Sequence, residues 1–227
     1  MSRFAAEPDV ACAPYGVPVR LVRYTHSCVR LEADGRTLVI DPGVWSEPQA
    51  LHRADAVLVT HLHSDHVDRL RLAGLGVPVY APQVIPGVAT TVVGVGEAFE
   101  PSGFEVRAVG GRHASVAGGE PNLPNLGYLV GRLYHPGDSL HVPDERVDTL
   151  LVPLQASWLK LAEALDFVRV VGPRRAYGIH DAQVNERGLE GPNHWLSRTS
   201  TSYRWLAPGE ADDIAELAWP KHDDRSR

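Results

Sequence analysis

The order of elements in this chain predicts an α/β (α+β) fold. Runs of β-branched or alternating apolar residues recur through both halves, and each half also carries at least one helix. No low-complexity linker or short repeat separates the halves. Two mixed β-sheets face to face with helices outside suit this order, although periodicity alone does not choose that arrangement.

The elements follow in turn. Residues 18–24, 27–33 and 37–40 read as strands, and Asp34-Gly35 supplies a tight hairpin turn between the second and third. Residues 56–60 form a fourth strand running into a His-rich segment. A short helix over 65–72 is ended by Gly74 and Gly76, and 77–80 returns to strand. Further strands are expected at 91–95, 104–109, 126–130, 132–135 and 149–152, with a Gly-, Pro- and Asn-rich loop at 117–125. Residues 157–171 make the best helix, with Leu161, Leu165 and Val168 on one face, Ala164 beside them, and Gly172-Pro173 as its stop. A strand over 175–179 ends at His180, and a last helix and strand fill 190–206.

Composition narrows the function classes. The 227 residues carry a net charge of −6 with scattered Lys and Arg, which argues against a nucleic-acid-gripping surface. No apolar run is long enough to cross a bilayer, and residues 1–17 lack an apolar signal core. We therefore expect a cytoplasmic protein with a flexible leader over 1–17, a single domain over 18–219 and a loose tail over 220–227. Cys12 falls in the leader and Cys28 in a strand, so no structural disulfide is expected. No coiled-coil pattern points to an oligomeric state.

The chemistry concentrates in Thr60-His61-Leu62-His63-Ser64-Asp65-His66, four donor side chains in six positions between a buried strand and a helix. His61 and His63, two apart in extended chain, can point the same way. Asp65 and His66, in the first turn of the helix, can serve a second location nearby. Imidazole and carboxylate suit zinc, manganese or iron. A lone His-x-His is more often a solvated or hydrogen-bonded pair. Packing three imidazoles and a carboxylate against a buried strand, however, is costly unless a cation offsets their desolvation.

His-x-His-x-Asp-His after an apolar strand resembles the signature of the metallo-β-lactamase superfamily. Gly110-Gly111-Arg112-His113 resembles its third-histidine segment, Pro136-Gly137-Asp138-Ser139 its bridging aspartate, and Ile179-His180-Asp181 its final histidine. Tyr24-Thr25-His26-Ser27, Leu31-Glu32 and Val39-Ile40-Asp41-Pro42-Gly43 are similar to the branch containing ascorbate-6-phosphate lactonase, with Thr25 where a glycine is usual. The resemblance implies a four-layer αβ/βα sandwich and two divalent cations; on ligand type, zinc is the first expectation, with manganese, iron or nickel compatible. It implies His61, His63 and His113 on the first metal, Asp65, His66 and His180 on the second, and Asp138 bridging. It also implies a hydroxide between the metals that cleaves an ester-like bond, phosphodiester or lactone, in a small molecule. Asp65 and His180 are then the catalytic residues, Asp65 orienting the nucleophile or accepting its proton.

Other residues carry two readings each. Asp41 is either a carboxylate behind the ligands that fixes a histidine tautomer or a turn former. His26 is a rim residue for substrate or a solvated loop histidine. His135 reads more as a hydrogen-bonded core histidine than as a cleft residue. Trp158 can line the substrate mouth or pack on the core, and Ser115, just before the 117–125 loop, and Asn122 and Asn125 on it are candidate substrate contacts. The alternative activity is an iron-dependent, persulfide dioxygenase-like oxidoreductase, which a full seven-ligand set disfavours. A non-catalytic binding module is disfavoured for the same reason.

Overall fold

The computed structural model describes residues 18–117 and 123–214. The expected leader, the tail and Asn122 lie outside the described residues. The strands are β1 (Val19–Arg23), β2 (Val29–Ala33), β3 (Arg36–Ile40), β4 (Ala56–Leu58), β5 (Val79–Ala81), β6 (Thr90–Val92), β7 (Ala98–Phe99), β8 (Val106–Gly110), β9 (Leu126–Val130), β10 (Leu133–His135), β11 (Thr149–Pro153), β12 (Arg175–Ile179), β13 (Ser202–Arg204) and β14 (Ala211–Ile214). The helices are α1 (Arg69–Ala73), α2 (Leu161–Val171) and α3 (Glu186–Leu196).

The strands form two seven-stranded sheets, ordered β14-β1-β2-β3-β4-β5-β6 and β13-β12-β11-β10-β9-β8-β7. Both are mixed: β14-β1-β2-β3 and β7-β8-β9-β10 are antiparallel, while β3-β4-β5-β6 and β10-β11-β12-β13 are parallel. Leu21, Leu31, Leu38 and Leu58 of the first sheet share a core with Tyr128, Leu133, Leu151 and Tyr177 of the second. Outside the first sheet, Leu72 of α1 packs with Val39, Val57 and Val59. Outside the second, Ala164, Phe167 and Val168 of α2 pack with Leu129, Leu150, Val152 and Ala176. Strands buried on both faces explain why β3, β4 and β11 read as continuous apolar runs rather than alternations.

Boundaries moved where local capping competed with periodicity. The helix expected at 65–72 begins only at Arg69, because Asp68 accepts from the Leu70 and Arg71 amides, both at 3.1 Å. Asp65 and His66 thus lie in a turn ahead of the helix, with His66 N–H bonded to His63 O. Likewise α2 starts at Leu161, where the Lys160 amide donates to Glu163, and its buried face centres on Phe167 rather than Leu165. Gly172 ends it in the left-handed conformation, φ 62. β7 and β14 were not expected. β14 carries Asp212 and Asp213 and gains its strand state by pairing with β1 at the sheet edge.

Within the first sheet β1, β3 and β4 run in one direction, and within the second so do β8, β10 and β12. The loops after these six strands carry His26, Asp41, His61 to His66, His113, Asp138 and His180. They meet at one end of the sandwich, where the Leu126 amide bonds Thr60 O and the His180 amide bonds His26 O across the two sheets.

Candidate metal centre

Two groups of donor atoms form there: His61, His63, His113 and Asp138, and His26, Asp65, His66 and His180, each group lying within 4.8 Å of mutual separation. Asp138 joins them. Its Oδ1 is 3.1 Å from His66 Nε2, and its Oδ2 is 3.3 Å from His113 Nε2 and 3.1 Å from His180 Nε2.

The backbone around the site is held in unusual conformations. His26, Asp41 and His180 have φ of 69°, 52° and 56°. A non-glycine residue held there costs on the order of 1–3 kcal/mol, so surrounding contacts must impose it.

The hydrogen bonds behind the donors settle which nitrogen faces inward. Asp41 is fully buried and accepts from the Thr60 amide, the Thr60 hydroxyl and His66 Nδ1, each at 2.7 Å. The Thr60 hydroxyl, having donated to Asp41, accepts from His61 Nδ1 at 3.0 Å. His113 Nδ1 donates to Ala114 O and His180 Nδ1 to Gln155 O, both at 2.5 Å. In His61, His66, His113 and His180 the outward nitrogen therefore carries the proton, and a bare Nε2 points into the nest.

Four bare imidazole nitrogens around a carboxylate repel it unless positive charge sits among them. His66 Nε2 and Asp138 Oδ1 are close but not aligned for a hydrogen bond, and both, with His113 Nε2, are buried without a partner. Without a cation, protons must fill that role. Burial pushes His66 down, yet the Asp138 and Asp41 carboxylates hold it well above its usual value. Asp138 is raised by burial, but His66, His113 and His180 keep it well below the usual carboxylate range. The Asp65 carboxyl, with His26 beside it, is lowered to about 2 despite burial. Burial lowers His61 and His26. A donor set of imidazole nitrogens and carboxylate oxygens with orphaned inward atoms fits divalent cations.

Not every expected contact faces the cleft. Asn125 is buried, its amide donates to Pro136 O and its Oδ1 accepts the Asp138 N–H, both at 2.9 Å. It is used up in shaping the Asp138 loop and is not at a substrate surface. His26 is neither solvated nor at the rim: it is fully buried against His180, ring centroids 4.0 Å apart. His135 is a core histidine, donating Nε2–H to Ser27 O and accepting the Gly137 amide. Trp158 is half-buried beside the nest, its indole N–H on Asp138 Oδ2 at 3.2 Å. Trp45 is 45% exposed and edge-on to His26; no motif singled it out, and its place after the Asp41 turn was the only signal. Arg23 and Asp181 form a buried ion pair behind His180, and Trp205 Nε1 donates to Asp181 at 2.7 Å.

A family model described as a beta-lactamase superfamily domain matches residues 20–180. The chain belongs to the metallo-β-lactamase superfamily. It is 40% identical over 188 residues to Protein Rv0786c of Mycobacterium tuberculosis, covering 75% of this chain and 89% of that one. It is 30% identical over 189 residues to the UPF0173 metal-dependent hydrolase TTHA1283 of Thermus thermophilus, covering 70% and 82%. Among solved structures, the metallo hydrolase Igni18 of Ignicoccus hospitalis superposes with a TM-score of 0.68 at 18% identity, covering 87% of this chain and 98% of that one. CmlA, a diiron β-hydroxylase of Streptomyces venezuelae, shares the fold with a TM-score of 0.67 at 14% identity, covering 89% and 55%. The chain thus has the four-layer architecture that the resemblance implied, and relatives named as metal-dependent hydrolases match it over most of their length. Among the described residues, no helix is long and apolar enough to cross a membrane.

Proposed function

We propose that the nest holds two divalent cations, zinc first, and that the chain hydrolyses an ester-like bond, phosphodiester or lactone, in a small molecule. The observation that carries this is Asp138, set between two groups of donors whose bare nitrogens converge on it. His61, His63 and His113 would hold one cation, and Asp65, His66 and His180 the other, with Asp138 shared. So held, the pair would supply an activated water and a Lewis acid for the substrate oxygen.

The chain's own groups do the rest. Asp65, with 15% of its side chain exposed, is placed to orient the attacking water and accept its proton. Asp41, Thr60, Ala114 O and Gln155 O keep the imidazoles in the tautomer that presents Nε2. Trp158, against His113 and His180, and Trp45, against His26, give flat apolar walls that shield the reacting bond from bulk water. The working unit in this reading is one domain, residues 18–219.

Elemental analysis, with hydrolysis of a generic phosphodiester and a generic lactone on the same samples, tests the proposal. Two equivalents of zinc or manganese and chelator-sensitive turnover are expected. A single iron with neither substrate cleaved would overturn it in favour of an oxidoreductase.

A further inference from the structure

His26 stands apart from His61, His66, His113 and His180 in what lies behind it. His61, His66, His113 and His180 each place an acceptor behind Nδ1, which draws the proton outward. Behind His26 Nδ1 stands a donor, the Ala182 backbone N–H at 3.3 Å. An amide N–H only donates, so Nδ1 must be bare and the ring proton must sit on Nε2. That Nε2 faces Asp65 Oδ2 at 3.1 Å. A protonated nitrogen holds a carboxylate but does not ligate a cation.

We propose that His26 is a positioning residue: locked as the Nε2–H tautomer by Ala182, it holds the Asp65 carboxylate toward His66 and His180 and thereby sets the affinity for the second cation. This rests on the two-cation reading. Although the His26 ring lies within ligand distance of that group, its inward nitrogen is already committed to Asp65.

Two further observations agree. The His26 carbonyl accepts the His180 amide at 3.0 Å, so one residue of the first sheet's loops fixes both Asp65, through its ring, and His180, through its backbone. The ring is fully buried and boxed by His180, His66 and Trp45, at centroid distances of 4.0, 5.5 and 4.9 Å, which leaves it little freedom to turn away. Asp65 itself sits in a turn with part of its side chain open to solvent. Without the His26 N–H, its carboxylate is free to rotate toward water.

The test is stepwise zinc binding to the metal-free full chain, read by calorimetry with chelator competition, for wild type, His26→Phe and His26→Gln. Phenylalanine keeps a flat ring and removes the hydrogen bond; glutamine keeps an N–H donor and removes the imidazole. His26→Phe should bind the first zinc as wild type does and the second about 10- to 100-fold more weakly. His26→Gln should return the second to within a few-fold of wild type. Loss of the second zinc in both variants would make His26 a direct ligand, and unchanged binding in His26→Phe would make it filler; either overturns the proposal. If His26→Phe does not fold, His26→Leu, which also lacks the N–H donor, takes its place beside His26→Gln with the same outcomes. Wild type taking up fewer than two zinc ions would remove the two-cation reading and this proposal together, a result separable from the variant effects.

Discussion

At the scale of single residues, the site is ordered by what stands behind each donor. Asp41 serves three donors at once, two from Thr60 and one from His66, with both carboxylate oxygens in use. Asn at this position offers one oxygen and turns an NH₂ toward a donor, leaving at least one buried group unmatched. Asp41→Asn should therefore weaken zinc binding by about 10- to 100-fold while the fold persists, as titration with a competing chelator would show. Asp138→Ala removes the carboxylate that faces His66, His113 and His180. Turnover of whichever ester the wild type cleaves should fall to background, with an unchanged far-ultraviolet circular dichroism spectrum. Wild-type turnover in this variant would end the assignment.

At the scale of elements, the loops after β3 and β4 are in backbone contact. A Cβ on Gly43 would lie 1.8 Å from Asp65 O and 2.7 Å from His66 N, both main-chain atoms that cannot swing aside. The Val44 amide also bonds Ser64 O at 2.8 Å. Only glycine lets the Asp41 turn press against the His61–His66 turn this closely. Gly43→Ala should push the two apart and separate Asp41 from His66. The expected result is loss of bound metal on purification and a lower melting temperature, while Gly35→Ala, whose Cβ meets no atom within 4 Å, should retain its metal.

At the scale of the whole molecule, the proposed ligands come from both sheets: His61, His63, Asp65 and His66 from the first, His113, Asp138 and His180 from the second. Cations bound there would cross-link the sandwich at one end, on the folded state alone. Stripping the metal should lower the melting temperature, and zinc at about 100 times its dissociation constant should restore about 2.7 kcal/mol. For a chain of this size that is roughly 5–10 °C, readable by scanning calorimetry. A melting temperature indifferent to zinc would mean that the nest does not bind it in the native state.

The strand-rich halves, most of the helix and strand positions, and the cluster at Thr60 to His66 are legible in the residues alone. These signals are local: burial on one or both faces writes itself into neighbouring residues, and a His-x-His-x-Asp-His run is costly to bury without purpose. The later donors His113, Asp138 and His180 were legible only through resemblance, since each stands alone in its own loop. The rest comes from contacts between distant parts of the chain. It placed Asn125 behind Asp138, made an edge strand of the charged Ala211–Ile214, and turned His26 from a rim residue into a buried partner of Asp65. Which proton sits on which imidazole nitrogen depends on a group such as the Ala182 amide, 156 positions away in the chain. No local pattern encodes that neighbour, because the packing of one sheet on the other creates it.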